Sequence, residues 1–173
     1  NLWYSNHGTA RIGRLLLAPS DVTCNGLPGT VALGVTGSPT AGADVIIGTD
    51  GPDTIDGLGG DDTICGLGGD DALTGNIGKD HLDGGDGADT IDGGAGSDTV
   101  RGGRAADTIT GGNGPDVVNA GGGDDLVNTG KGVDVALGGN GGDELRGGSD
   151  NDTLEGGSGN DRLVGGTNRD TCK

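Results

Sequence analysis

From residue 48 onward an aliphatic residue recurs every nine positions, two places after an aspartate. Read in nines, the chain runs GTDGPDTID, GLGGDDTIC, GLGGDDALT and on to GGSGNDRLV and GGTNRDTCK. That makes fourteen nonads over residues 48–173 with no insertion or deletion. A fifteenth, PTAGADVII at residues 39–47, keeps the second half of the pattern. The eighth position is Ile, Leu or Val in thirteen of the fifteen units, with Ala136 and Cys172 as exceptions. The second half of each unit alternates polar and apolar residues, as in Asp89-Thr90-Ile91-Asp92. This predicts a three-residue strand with one side chain pointing inward. The first half is glycine-rich, and glycine reaches the φ > 0 conformations that tight turns require. Turn plus short strand, repeated in register, predicts an all-β solenoid.

Composition changes the picture in one respect. The chain holds 44 glycines in 173 residues, one Trp, one Tyr and no Phe, with only 29% hydrophobic residues. Such figures fit a disordered acidic chain, but disorder gives no reason for an unbroken register. Glycine does not recur every third residue, which excludes collagen. No run approaches 18 apolar residues, so no transmembrane segment is expected. Leu15–Ala18 is too short for a signal-peptide core. With 27 acidic against 10 basic residues and a net charge of −17, no nucleic-acid partner is expected.

A core of one aliphatic residue per nonad is thin. Burial returns about 1.5–3 kcal/mol for each such side chain. Ordering backbone costs about 1–2 kcal/mol per residue. Nine residues per buried aliphatic therefore leave a deficit, and the sixth position suggests what fills it. It is aspartate in all fifteen units. Asx-turns would account for a few of these, not for fifteen at one phase. Stacked carboxylates repel unless counterions lie between them. Carboxylates with turn carbonyls form a hard oxygen donor set that suits Ca²⁺ better than transition metals.

The pattern GGxGxDxUx, with U aliphatic, closely resembles the RTX, or haemolysin-type, calcium-binding repeat over 126 to 135 of the 173 residues. The resemblance implies a right-handed parallel β-roll with two nonads per coil, here about seven coils, and Ca²⁺ between successive turns on each edge. Two aspartate columns follow. One holds Asp44, Asp62, Asp80, Asp98, Asp116, Asp134, Asp152 and Asp170; the other holds Asp53, Asp71, Asp89, Asp107, Asp125, Asp143 and Asp161. The family's ligand set takes the carbonyls at positions two and four and the Asp of one turn. From the turn eighteen residues on it takes the carbonyls at positions one and three and the Asp. That names Gly85, Gly87 and Asp89 with Gly102, Arg104 and Asp107. On the other edge it names Gly94, Gly96 and Asp98 with Gly111, Asn113 and Asp116. At most thirteen inter-turn sites are implied, whose ions would over-neutralise a charge of −17, so some sites are expected to be weak or empty. Ala105, where the pattern wants glycine, and Ala120 and Thr129, which replace the first glycine, point to the turns around Asp107 and Asp125. Asp150 and Asn168, at the same position as Ala105, are residue types that tolerate a left-handed backbone.

Residues 1–38 form a separate segment, an N-terminal arm and cap ahead of the roll at 39–173. They hold Trp3 and Tyr4 and are nearly neutral in charge. Gly29–Val35 reads as a strand capping the first coil, because an open solenoid end exposes unpaired edges. No matching cap follows the last repeat. This suggests head-to-tail polymers of the chain, the arm of one molecule covering the far end of another. Cys65 and Cys172 would lie about 28 Å apart along such a roll, far beyond the roughly 7 Å a disulfide allows. Cys24–Cys65 is then the plausible bond. Cys172 either fills a core position or bonds another molecule.

A disulfide and calcium chemistry together suit the exterior of the cell. The absence of Met suggests a processed product or a fragment. The repeats from Asp44 to Asp71 with Cys24 and Cys65 are also similar to small exported calcium-binding proteins of actinobacteria. The alternative implied by the wider family is a calcium-triggered folding and secretion module of a larger toxin or enzyme. His7 and His81 are isolated, and no nucleophile–base pair is apparent, so no catalytic activity is expected.

Overall fold

In a computed structural model of the chain, the described residues are 39–173 and three short strands: β1 (Thr23–Cys24), β2 (Leu27–Pro28) and β3 (Val31–Ala32). The repeats add β4 (Val45–Ile47), β5 (Thr54–Asp56), β6 (Thr63–Gly68), β7 (Ala72–Ile77), β8 (His81–Asp86), β9 (Thr90–Ala95) and β10 (Thr99–Arg104). Then come β11 (Thr108–Asn113), β12 (Val117–Gly122), β13 (Leu126–Lys131), β14 (Val135–Asn140), β15 (Glu144–Ser149), β16 (Thr153–Ser158), β17 (Arg162–Gly166) and β18 (Thr171–Cys172). The even-numbered strands from β4 to β18, with β3 at the edge, make a nine-stranded parallel sheet. The odd-numbered strands from β5 to β17 make a seven-stranded one. Every partner in the repeats lies eighteen residues away, as Ile91 opposite Leu73 and Ile109. The chain is thus a parallel β-roll of about seven coils, two nonads to the coil. No helix among the described residues is long and apolar enough to cross a membrane.

Most strands are twice the expected length. From β6 to β16 each has six residues, running from position seven through position three of the next nonad. Glycines expected in the turn therefore belong to the ladder, as Gly85 paired with Leu67 and Gly103. Lacking a Cβ, they let neighbouring coils close together, and the turn proper shrinks to positions four to six.

Alternation along each strand sends positions eight and one inward. Ile46, Ile55, Ile64, Leu73, Leu82, Ile91, Val100, Ile109, Val118, Val127, Ala136, Leu145 and Leu154 form one continuous buried file between the sheets. Ala120 and Thr129, at position one, are buried with it. Leu163 is only partly buried. Cys172 keeps the eighth-position register, opposite Leu154, but it is exposed and free rather than a core residue. It lies on β18, the edge strand of the nine-stranded sheet.

The N-terminal segment meets the first coils in two ways. β3 pairs beside β4, with Val31 opposite Ile46; the rest of the expected capping strand Gly29–Val35 lies outside the described residues. Cys24 is bonded to Cys65, their Cα atoms 5.8 Å apart. Ninth-position side chains face outward, which would expose Ile47 and Cys65. Instead Cys24 closes over them in a second small core with Val45 packed against it. The rest of the arm, including Trp3, Tyr4, His7 and Leu15–Ala18, lies outside the described residues.

Backbone conformation singles out two positions per nonad. Position four is left-handed, and there Ala105 has φ 71°, Asp150 83° and Asn168 84°. Position two is left-handed as well, which the glycine count had masked: Leu58, Leu67 and Asn76 sit there at φ 72°, 80° and 73°. Leucine gains nothing from that conformation, so Leu58 and Leu67 are strained as Ala105 is, by about 1–2 kcal/mol each.

Candidate metal centre

Each turn brings its position-six aspartate inward, and from Asp62 to Asp152 these carboxylates are nearly inaccessible to solvent. The two oxygens face opposite ways along the roll. One, Oδ1, accepts the backbone N–H of the aspartate one coil earlier. Asp80 N–H thus donates to Asp98 Oδ1 at 2.9 Å, and Asp89 N–H to Asp107 Oδ1 at 2.8 Å. Thirteen such bonds link the fifteen aspartates into two ladders. The ladder passes Asp107 and Asp125 with the same geometry as elsewhere, the bond between them measuring 2.8 Å. Of the three departures, Ala105 shows in the backbone, at φ 71°, and Thr129 on the other edge, where its hydroxyl donates to the Gly147 carbonyl at 2.8 Å.

The other oxygen faces the next coil. A Cβ placed on Gly93 would fall 2.8 Å from Asp98 Oδ2 and 2.6 Å from the Gly111 carbonyl. Asp89 Oδ2 and the Gly102 carbonyl stand in the same relation to Gly84. Glycine at position one leaves this space clear. Carbonyls converge on the gap from both sides. Those of Gly85, Gly94 and Gly96 point forward, towards Gly103, Gly112 and Gly114. Those of Gly102 and Gly111 point back, towards Gly84 and Gly93. The Arg104 and Asn113 carbonyls also face back, accepting the amides of Gly87 and Gly96. Of the first predicted set, Gly85, Asp89, Gly102, Arg104 and Asp107 border one gap; of the second, Gly94, Gly96, Asp98, Gly111, Asn113 and Asp116 border another.

Eleven of the forward-facing oxygens, Oδ2 of Asp62, Asp71, Asp80, Asp89, Asp98, Asp107, Asp116, Asp125, Asp134, Asp143 and Asp152, are buried without a hydrogen-bond partner. Native proteins rarely leave such groups unpaired, because desolvation without a partner is costly. Basic residues do not relieve them: Arg101 pairs with Asp83 and Arg104 with Asp86, on the outer surface. Burial pushes Asp62 up to about 6 and Asp107 and Asp116 up to about 7. The amide of the preceding aspartate opposes the shift, and neighbouring carboxylates add to it. Burial raises Asp71, Asp80, Asp89, Asp98, Asp125, Asp134, Asp143 and Asp152 in the same direction. Among the described residues there is no cluster of three or more His, Cys, Asp or Glu that could cage a metal with side chains alone. The donor set is instead a carboxylate oxygen from each ladder step together with backbone carbonyls. It fits a hard divalent cation, Ca²⁺ above all.

Two features of the turns were not foreseen. Position five carries a second, outer ladder: Asp61, Asp70, Asp124 and Asn151 each accept the amide of Lys79, Ala88, Gly142 and Arg169, respectively, one coil later. The paired carboxylates Asp61-Asp62 and Asp124-Asp125 thus split their work between the surface and the gap. The second feature concerns the first turn of each edge. There Thr40 and Thr49 occupy position two, and each gives both its N–H and its hydroxyl to Oδ2 of its own aspartate, Asp44 or Asp53. A Thr followed four residues later by Asp carries that signal in the sequence.

Parallel coils, with an inward aspartate at each turn and converging carbonyls between, define a cation-stacked β-roll. The family described as the RTX calcium-binding nonapeptide repeat, in four copies, matches residues 39–73, 66–100, 74–109, 101–136 and 137–172. The chain belongs to that family. No curated protein matches the chain as a relative.

Proposed function

We propose that the chain is a calcium-assembled structural element that works outside the cell. The observation that carries this is the row of eleven buried, unpartnered carboxylate oxygens. In this reading the Asp columns, with carbonyls such as those of Gly85, Gly87, Gly102 and Arg104, hold the ions; calcium offsets the repulsion within each ladder. Binding and folding are then one event, since the gaps exist only in the coiled chain. An exterior location is supported by the Cys24–Cys65 bond, which persists in oxidising compartments. It is also supported by the family, whose repeats are typical of secreted bacterial proteins.

Circular dichroism with calcium and with a chelator tests the reading. The β signal at neutral pH is expected to need calcium; a roll that persists unchanged in the chelator overturns it. Head-to-tail assembly is a finer proposal, favoured by the exposed Cys172 and the partly buried Leu163 at the last coil. Sedimentation at high protein concentration in calcium, with reductant present, is expected to show polymers; monomers alone refute it.

A further inference from the structure

The first gap of each edge differs from those that follow. Asp44 and Asp53 are the ladder members whose forward oxygen takes both a backbone N–H and a hydroxyl from position two of its own turn; Thr129, at position one beside Asp134, sends its hydroxyl instead to the Gly147 carbonyl. Thr40 N–H donates to Asp44 Oδ2 at 2.7 Å and its hydroxyl lies 2.9 Å from the same atom. Thr49 repeats this on Asp53 at 2.6 and 3.0 Å. The hydroxyl oxygens also lie 3.2 and 3.1 Å from the carbonyls of Gly42 and Gly51, at position four. They accept the N–H groups of the same glycines. One hydroxyl therefore touches the aspartate oxygen and the position-four carbonyl, two of the three groups that the forward-facing turn would offer an ion. The third is the threonine's own carbonyl.

The choice of residue explains the difference. From nonad 57–65 onward position two is left-handed, whether Leu58, Leu67, Asn76 or glycine such as Gly85. Thr40 and Thr49 are not among the left-handed residues. A β-branched side chain avoids that region, so at these two turns the amide swings onto the carboxylate. Side-chain and backbone donors then satisfy the oxygen without a metal.

We infer that Thr40 and Thr49 take the place of an ion in the first gap of each edge, so that calcium loads only from the gaps headed by Asp62 and Asp71 onward. The inference rests on the calcium reading above and names which gaps of this chain stand apart from it. Of the thirteen gaps spanned by the ladder, the two with a threonine seal are those whose aspartate is absent from the eleven unpartnered oxygens.

Native mass spectrometry at saturating calcium tests it on the intact chain. Thr40→Gly with Thr49→Gly restores the repeat pattern, and the double variant is expected to take up two more ions than the wild type. Equal or lower uptake overturns the inference while leaving calcium binding standing. A wild-type chain that takes up none overturns both. The second measurement needs no variant. In crystals of the wild type soaked with Mn²⁺, anomalous peaks are expected in the gaps headed by Asp62 and Asp71 onward and not in those headed by Asp44 and Asp53. Peaks in all of them overturn it.

Discussion

The turn at 48–53 and the turn at 93–98 hold the same aspartate in the same register, yet they solve its burial differently. Asp53 is served by Thr49, through an amide and a hydroxyl. Asp98 gets one bond, from Asp80 N–H, and its second oxygen faces Gly93 and the Gly111 carbonyl with no partner. The first coil is also flanked by β3, and the second carries the disulfide to Cys24. The interior coils have neither. A solenoid propagates from coil to coil, each stabilising its neighbour, so a first coil closed by local bonds offers an edge on which ion-dependent coils can stack. The lesson is that one repeat can be built in two ways, and position two selects between them.

The largest expected effect comes from removing calcium, and pH should reverse part of it. In the ion-free roll, burial holds Asp62 near 6 and Asp107 and Asp116 near 7, above their ordinary value. A raised carboxyl contributes stability that is fully present below about pH 4. That stability is lost as pH rises through 6 to 7. In chelator, β structure should therefore be weakest above pH 7 and recover on acidification. With calcium the sign inverts, because ions and protons compete for the same oxygens; calcium affinity should fall as pH drops below 7. Circular dichroism across pH, with and without chelator, checks both. Hydrogen exchange during stepwise calcium withdrawal sharpens the contrast: protection should be lost last at the amides of Thr40 and Thr49.

Next in size is the bond that ties the N-terminal segment to the roll. Cys24 and Cys65 are 41 residues apart, and closing a loop of that length stabilises by about 4 kcal/mol in the chain-entropy account. Cys24→Ser with Cys65→Ser should lower the melting temperature at fixed calcium by several degrees or more without changing the number of bound ions. A loss of ions would show that the first coil is not independent of them.

A paired substitution separates the two kinds of turn directly. Asp98→Ala removes the acceptor of Asp80 N–H and an oxygen from the gaps on either side. It should cost about 2–3 kcal/mol from the charged hydrogen bond alone and lower the ion count. Asp53→Ala removes the bonds to Thr49, which should cost stability to a similar or smaller degree while leaving the ion count as it was. Calorimetric calcium titration of the two variants reads the difference.

How much of this was legible in the sequence depends on which half of the nonad is asked. The aliphatic eighth position and the invariant aspartate fixed the coil, the core file and both columns, because register leaves a strong trace in a nine-residue period. The Cys24–Cys65 bond followed from distance along the roll. The glycine half was harder. Its residues alternate between ladder and turn, and glycine at positions one, two and three looks the same whether it clears space for a carboxylate, turns left-handed, or pairs in a strand. Leu58 and Leu67 stand where the pattern has its second glycine, as Ala105 stands for the third, but leucine itself carries no left-handed signature. The exposure of Cys172 was hidden too: its place in the period is that of a core residue, and only its place at the end of the stack exposes it.

The smallest effects test the backbone difference between the regions. Leu58, Leu67 and Ala105 hold φ of 72°, 80° and 71°. Changing each to glycine relieves about 1–2 kcal/mol of left-handed strain. The greater freedom of the unfolded chain takes back about 0.4–1 kcal/mol. A net gain on the order of 1 kcal/mol or less is expected at each site, read as a higher urea midpoint in saturating calcium. Asn76, at φ 73°, should gain less, since asparagine visits this region more readily. Thr40 and Thr49 carry no such strain, so glycine at these two places has none to relieve and forfeits the bonds to Asp44 and Asp53. A stabilisation of the calcium-free chain at acid pH by Thr49→Gly would place that turn among the interior ones and remove the distinction between the first coil and the rest.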